Sequence, residues 1–179
     1  MISPDDNTII ELILGREKKQ GFELLVRKYQ EKVYWLIRRM VIVHEDADDL
    51  VQEVFVKVWL NIHRFRKDSA LFTWLYRIAT NETLTFLKKQ KRKKFISDPN
   101  EKLLNALQDD NWFKGEDIER RFYQALVKLP EKQRIVFNMK YFDEMKYEDM
   151  SEILNTSVGA LKASFHLARK KIENFLTEN

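Results

Sequence analysis

The chain reads as an all-α protein, two small helical domains joined by a flexible linker, with a helix-turn-helix in the second. Three observations carry that expectation. Glycine (4) and proline (3) are scarce among the 179 residues, which disfavours a turn-rich all-β fold. Apolar residues recur at three- and four-residue steps through most of the chain, the spacing of one buried helix face. Leu, Lys, Glu, Ile and Phe dominate, and 44% of residues are apolar, enough for globular cores. The length suits one ordinary domain or two small ones.

Ser3-Pro4-Asp5-Asp6 opens a first helix, Ile9, Ile10, Ile13 and Leu14 follow at helical spacing, and Gly15 stops it. A long second helix spans about 18–41 on the stripe Phe22, Leu25, Val26, Tyr29, Val33, Leu36, Ile37 and Met40. The third is expected to open with Asp46 as N-cap and to bury Ala47, Leu50, Val54, Val58 and Ile62. A polar loop over 61–68 leads to a fourth helix from about Ser69, with Leu75, Ile78, Ala79 and Phe86 inward. From about 91 to 115 apolar residues thin out and Pro99, Asn100, Asp109, Asp110, Asn111 and Gly115 accumulate, as in a tether. Leu103, Leu104 and Leu107 can form one short helix within it. Phe122, Leu126 and Leu129 then precede Pro130, expected at the first position of a helix carrying Ile135, Val136, Met139 and Tyr141. Two short helices, about 147–154 and 157–175, end the chain. The expected boundaries are 1–92 for the first domain, 93–117 for the linker and 118–179 for the second domain.

Cysteine is absent, which excludes a disulfide scaffold and a Cys-ligated zinc finger. The N-terminus lacks the basic segment of a secretory signal, and no apolar run approaches the ~18–20 residues of a membrane span. A soluble, cytoplasmic protein without direct membrane insertion is expected. The net charge of +4 says little, but its distribution says more. Residues 44–53 hold five acidic side chains and no Lys or Arg, whereas 88–94 hold six basic residues in seven. Opposite-sign patches imply two different partners. No metal or other cofactor is expected, because His44 has no second His or Cys at ligand spacing. Catalysis is not expected either: the one dense run of carboxylates comes without a glycine-rich loop or paired histidines.

Three constellations carry chemistry. Asp48, Asp49, Gln52 and Glu53 lie off the apolar stripe of the third helix and build an acidic, amide-bearing ridge, which fits either a basic protein surface or plain solvation. Over residues 61–94 the aromatics Phe65, Phe72, Trp74 and Tyr76 interleave with Arg64, Arg66, Lys67 and Arg77, ahead of the basic run. Aromatic faces stack on unpaired bases for ~1–3 kcal/mol per base while cations track phosphates; Phe72 and Trp74 equally suit a core. In the C-terminal motif Tyr147, Met150, Ile153 and Leu154 face inward on a first helix. Asn155-Thr156 turns, Ser157 caps, and Val158, Leu161, Phe165 and Ala168 face inward on a second. Ala160, Lys162, Ala163, Ser164, His166, Leu167 and Arg169 are left outward, able to enter a major groove. A helical hairpin in a bundle has the same periodicity. Arg169, Lys170 and Lys171 fit phosphate contact or a helix end favoured by the dipole.

In order, DADDLVQEVFVKVW (46–59), FRKDSALFTWLYRIATN (65–81), the basic run, LPEKQRIVFNMKYFDEMKYEDMSEIL (129–154) and SVGALKASFHLARKK (157–171) closely resemble the extracytoplasmic-function sigma factors of bacteria, the two-domain class. The resemblance implies a factor that binds core RNA polymerase and directs promoter-specific transcription initiation. It implies that Asp49, Leu50, Val51, Gln52 and Glu53, with Asp48 beside them, dock on the coiled coil of the β′ clamp. Phe65, Arg66, Lys67 and Asp68 match the loop that captures a base flipped from the minus-ten element, and Asn81 matches a position used near it. Trp74, Arg77, Lys88, Lys91 and Arg92 complete that expected surface. The C-terminal domain would sit on the β flap and read the minus-thirty-five element, with Lys162, Ala163, His166 and Leu167 at base-facing positions and Ser157, Ser164, Arg169 and Lys170 around them. The implied partners are core RNA polymerase, promoter DNA as duplex and melted strand, and an anti-sigma factor. Where many relatives carry Thr-Val-Lys-Ser-Arg, this chain has Ala160-Leu161-Lys162-Ala163-Ser164. A bidentate Arg–guanine contact is worth ~1–3 kcal/mol, so readout here should lean on shape and thymine methyls instead. A freestanding helix-turn-helix regulator of duplex DNA is the alternative.

Overall fold

The computed structural model describes residues 4–93, 104, 105, 107 and 117–178. In chain order the helices are α1 (Asp6–Leu14), α2 (Lys18–Val41), α3 (His44–Asn61), a 3-10 turn (Ile62–Arg64), α4 (Leu71–Lys93), α5 (Asp117–Lys128), α6 (Glu131–Tyr141), α7 (Tyr147–Leu154) and α8 (Val158–Thr177). No strand occurs among the described residues, and the all-α expectation holds.

Local chemistry sets the boundaries. Asp5 caps α1 by accepting the Thr8 N–H at 2.7 Å, which holds its carboxyl below the usual range. Gly21 lets α2 cross α1 closely: a Cβ there would stand 2.8 Å from Ile13. α3 begins at His44, two residues before the expected cap at Asp46. The reason lies upstream, where Ile42 ends α2 at φ 66 and Val43 is extended, so the turn is complete within two residues. Asp46 instead sits in the first turn, where the helix dipole favours it, and accepts from Gln90 Nε2 at 3.1 Å. Pro130 is the N-cap of α6 rather than its first residue, with its carbonyl accepting from Gln133 and Arg134 at 2.8 and 2.9 Å.

The stripe of α2 is buried as expected, with Leu25, Val33, Ile37 and Met40 fully enclosed. Tyr141 departs from its expected core position and is 55% exposed. Part of the expected tether is folded: Leu104, Asn105 and Leu107 are helical, and Leu107 is fully buried against Ile42 and Val127. Residues 91–93 continue α4, and 94–103, 106 and 108–116, including Leu103, Pro99 and Gly115, lie outside the described residues.

The two halves pack together. One continuous apolar cluster joins Leu36, Ile37 and Leu75 to Ile135, Met139, Met150 and Ile153. A second, with Leu126, Phe137, Ala168 and Ile172, lies within the C-terminal half. α4 rests on α7 and α2 on α6. Across the seam Arg39 pairs with Asp143 at 3.1 Å and stacks over Phe142 at 4.1 Å, while Asn138 Nδ2 donates to the Arg39 carbonyl at 3.4 Å. Burial pushes the Asp143 carboxyl up despite that guanidinium.

Candidate polymerase and promoter surfaces

The apolar side of α3, Ala47, Leu50, Val54 and Val58, is locked into the core, so its opposite side must face out. Asp49, Gln52 and Glu53 are exposed there, and Asp48 and Val51 are half-buried. Leu50 is 3% exposed and lies in the core that holds α3 in place, which disagrees with its expected contact role. His44 Nε2 lies 3.4 Å from Asp48 Oδ2. The ridge is longer than expected. Val56 and Leu60, 58% and 60% exposed, border the same depression as Asp49, Gln52 and Glu53. The spacing 49, 52/53, 56, 60 was open to reading, because two apolar residues continue a polar face where solvation would favour charge.

The 3-10 turn after α3 aims the following loop. Phe65 is its C-cap and is 7% exposed, its ring 5.5 Å from Trp74. It therefore belongs to the core and is not free to stack on a base, a second correction. Arg66, Lys67 and Asp68 are exposed, and Lys67 is held at φ 61, a strained conformation for a side-chain-bearing residue. Trp74 is half-buried and opens into a cleft with Asn61, Arg64, Ile78 and Asn81, flanked by the Lys57–Glu82 ion pair. Asn61 was not anticipated; its amide donates to the Lys57 carbonyl at 2.8 Å, which fixes it at the cleft wall. The Phe72 and Tyr76 rings meet at 4.1 Å, tilted by 39°, with Phe72 half-buried and Tyr76 buried, and burial pushes the Tyr76 hydroxyl up. The structure thus separates the aromatics: Phe65, Phe72 and Tyr76 support, and Trp74 alone reaches a cleft. Arg77 is half-buried in a neighbouring cleft along α4, and Asn81 borders both. Lys88, Lys91 and Arg92 are exposed toward the end of α4, and Lys91 pairs with Glu131 at 3.2 Å.

In the C-terminal half Met150 and Ile153 anchor α7, and Asn155 reverses the chain in the left-handed region at φ 49, ψ 50. Ser157 Oγ accepts the Ala160 N–H at 3.3 Å and starts α8. Ser157→Ala should lower stability by ~1 kcal/mol, read as a lower melting temperature. Leu161 and Ala168 face inward; Lys162, Ala163, His166, Leu167, Arg169 and Lys170 are exposed, and Ser164 is half-buried. Leu167 is 48% exposed, an apolar contact surface at mid-helix. Lys162 rests 5.7 Å from the Tyr147 ring, and Arg169 is paired with Glu173 at 2.6 Å. No group of three potential metal ligands forms among the described residues.

Comparison with known proteins supports a single family. Residues 25–93 match Sigma-70 region 2 and residues 119–172 match Sigma-70, region 4. The chain is 34% identical to the ECF RNA polymerase sigma-E factor of Haemophilus influenzae, over 94% of both chains. It is 32% identical to the RNA polymerase sigma-H factor of Pseudomonas aeruginosa, over 96% of this chain and 93% of that one. The fold matches CnrH, solved in complex with the cytosolic domain of CnrY (TM-score 0.70, 22% identity, 96% of each chain). It also matches the sigma factor RpoE of Bartonella quintana, solved with the anti-sigma factor NepR (TM-score 0.69, 22% identity, 89% of this chain and 99% of that one). With both sigma regions matched in order and the relatives aligned almost end to end, the chain belongs to the extracytoplasmic-function sigma factors of RNA polymerase.

Proposed function

We propose that this sigma factor, which binds core RNA polymerase and directs it to specific promoters, divides the work among three surfaces. Asp49, Gln52 and Glu53, continued by Val56 and Leu60, dock on the β′ clamp. The Arg66–Lys67–Asp68 loop, the Trp74 cleft and the cations of α4 take the minus-ten strand. The outer face of α8 reads the minus-thirty-five duplex from the β flap. The observation that carries this division is the separation of charge: the acidic ridge on α3 repels phosphate and suits a basic protein surface, while α4 and α8 present cations with an aromatic or apolar neighbour. The first half would correspond to residues 1–92 and the second to 118–179. No helix among the described residues is long and apolar enough to cross a membrane, which supports a cytoplasmic site of action. Both solved relatives are bound to a second protein, named an anti-sigma factor in one, and such a partner is proposed here too. The factor itself carries no chemistry; catalysis is the polymerase's.

Run-off transcription with purified core polymerase tests the reading. The wild-type chain should start transcripts at discrete promoters. Lys162→Ala with His166→Ala should reduce minus-thirty-five discrimination by ~10-fold or more, about 1–3 kcal/mol for a lost base contact. Unchanged discrimination would remove α8's assigned residues from the readout, and failure to copurify with core would end the proposal.

A further inference from the structure

α8 is enclosed along one side only. Leu161, Ala168 and Ile172 are buried there, with Phe165 packed beside them. At about 100° per residue, the opposite side carries Ala163, His166, Leu167 and Lys170, and all four are exposed. Leu167 is the one large aliphatic side chain of that side and is 48% exposed. A lone surface leucine needs no explanation in general. This one lies in the first half of a 20-residue helix that opens on the Ser157 cap, the half that a recognition helix brings to base edges.

The cations of α8 lie elsewhere around the helix. Arg169 is its only arginine. It stands about 200° round from Leu167, and its Nε donates to Glu173 at 2.6 Å, one turn toward the C-terminus. Lys162 leans toward α7, with its ammonium 5.7 Å from the centre of the Tyr147 ring. His166 has two separate ring nitrogens rather than a fork of donors. The side that carries Leu167 therefore lacks the bidentate donor by which guanine is most often selected. A side chain without polar atoms can gain from one feature of the major groove, the 5-methyl group of thymine. Ala163, four residues earlier on the same side, is too short to hold a base pair away from Leu167.

We propose that Leu167 is a specificity-determining residue of the upstream promoter contact: its side chain packs on the 5-methyl group of a thymine in the major groove and so demands an A·T pair at that position. This rests on the reading of α8 as the minus-thirty-five helix. Selectivity at that pair comes from burial of a methyl group, and the cations of α8 serve the phosphates and the other pairs.

Holoenzyme assembled from the full-length chain and core polymerase tests this on templates randomised across the upstream element, with the transcribed templates sequenced. The wild type should select thymine at one position. Leu167→Ala should lose that preference by roughly 3–5-fold, about the burial of one methyl group, and keep the others. Leu167→Arg places a guanidinium fork at the same point and should shift the preference there to guanine. Deoxyuridine in place of the selected thymine removes the methyl group alone. It should weaken binding by wild-type holoenzyme by the same roughly 3–5-fold and leave the Leu167→Ala holoenzyme unaffected. Deoxyuridine without effect on the wild type, or a Leu167→Arg variant that selects the wild-type sequence, would overturn the assignment. Lys162→Ala with His166→Ala separates it from the reading beneath. If that pair and both Leu167 variants all select the wild-type element, α8 is not the reader. If the pair changes the selected element and the Leu167 variants do not, α8 remains the reader and the role of Leu167 falls.

Discussion

Asp49→Lys combined with Glu53→Lys is expected to abolish association with core RNA polymerase while leaving the fold intact. Both side chains are exposed and make no ion pair among the described residues, so nothing inside the protein depends on them. Their loss from α3 costs little in helix propensity, since Lys and Glu are comparable helix formers. The effect falls on the partner. An acidic ridge meeting a basic surface gains attraction and orientation, and reversing it sets like charges together at a cost of several kcal/mol. Every ~1.4 kcal/mol is tenfold in affinity, so copurification with core should fall by at least ~100-fold. Val56→Ala and Leu60→Ala, on the same stripe, should weaken binding less and without its salt dependence. Retained binding by the double Lys variant, measured at moderate salt, would move the docking surface off α3.

Phe65→Ala is expected to destabilise the protein by about 3–5 kcal/mol, the range for truncating a buried aromatic. Phe65 is 7% exposed, its backbone closes the 3-10 turn, and its ring supports Trp74. Phe65→Leu, which keeps apolar volume, should recover most of the stability and most promoter melting. Trp74→Ala should instead leave a foldable protein that melts promoters poorly, with ~1–3 kcal/mol of stacking lost. A Phe65→Leu variant that unfolds no more readily than wild type yet fails to open promoters would return Phe65 to the DNA surface.

These two residues illustrate what the sequence could and could not tell. Family likeness marks contiguous stretches, 49–53 and 65–68, as contact segments, but a helix turns part of the first through the core, and the 3-10 turn points the first residue of the second inward. Leu50 and Phe65 are the inward members, and the periodicity that placed Leu50 on the core face was the better guide. The limits of α2 and α7 were readable because one apolar stripe and a capped turn define them. The start of α3 was not, because a backbone reversal at Ile42 replaced the expected side-chain cap. The seam between the halves had no signal at all. Arg39 and Asp143 look like solvated charges in a sequence, and no periodicity reports a pair 104 residues apart.

Leu107 links the earlier observations in another way. It lies at the centre of a stretch that composition marks as a tether, yet it is enclosed between Ile42 of one half and Val127 of the other. The segment is therefore a strut between the two halves as well as a connection. Leu107→Ala should destabilise the free chain by ~2–5 kcal/mol, read as a lower melting temperature.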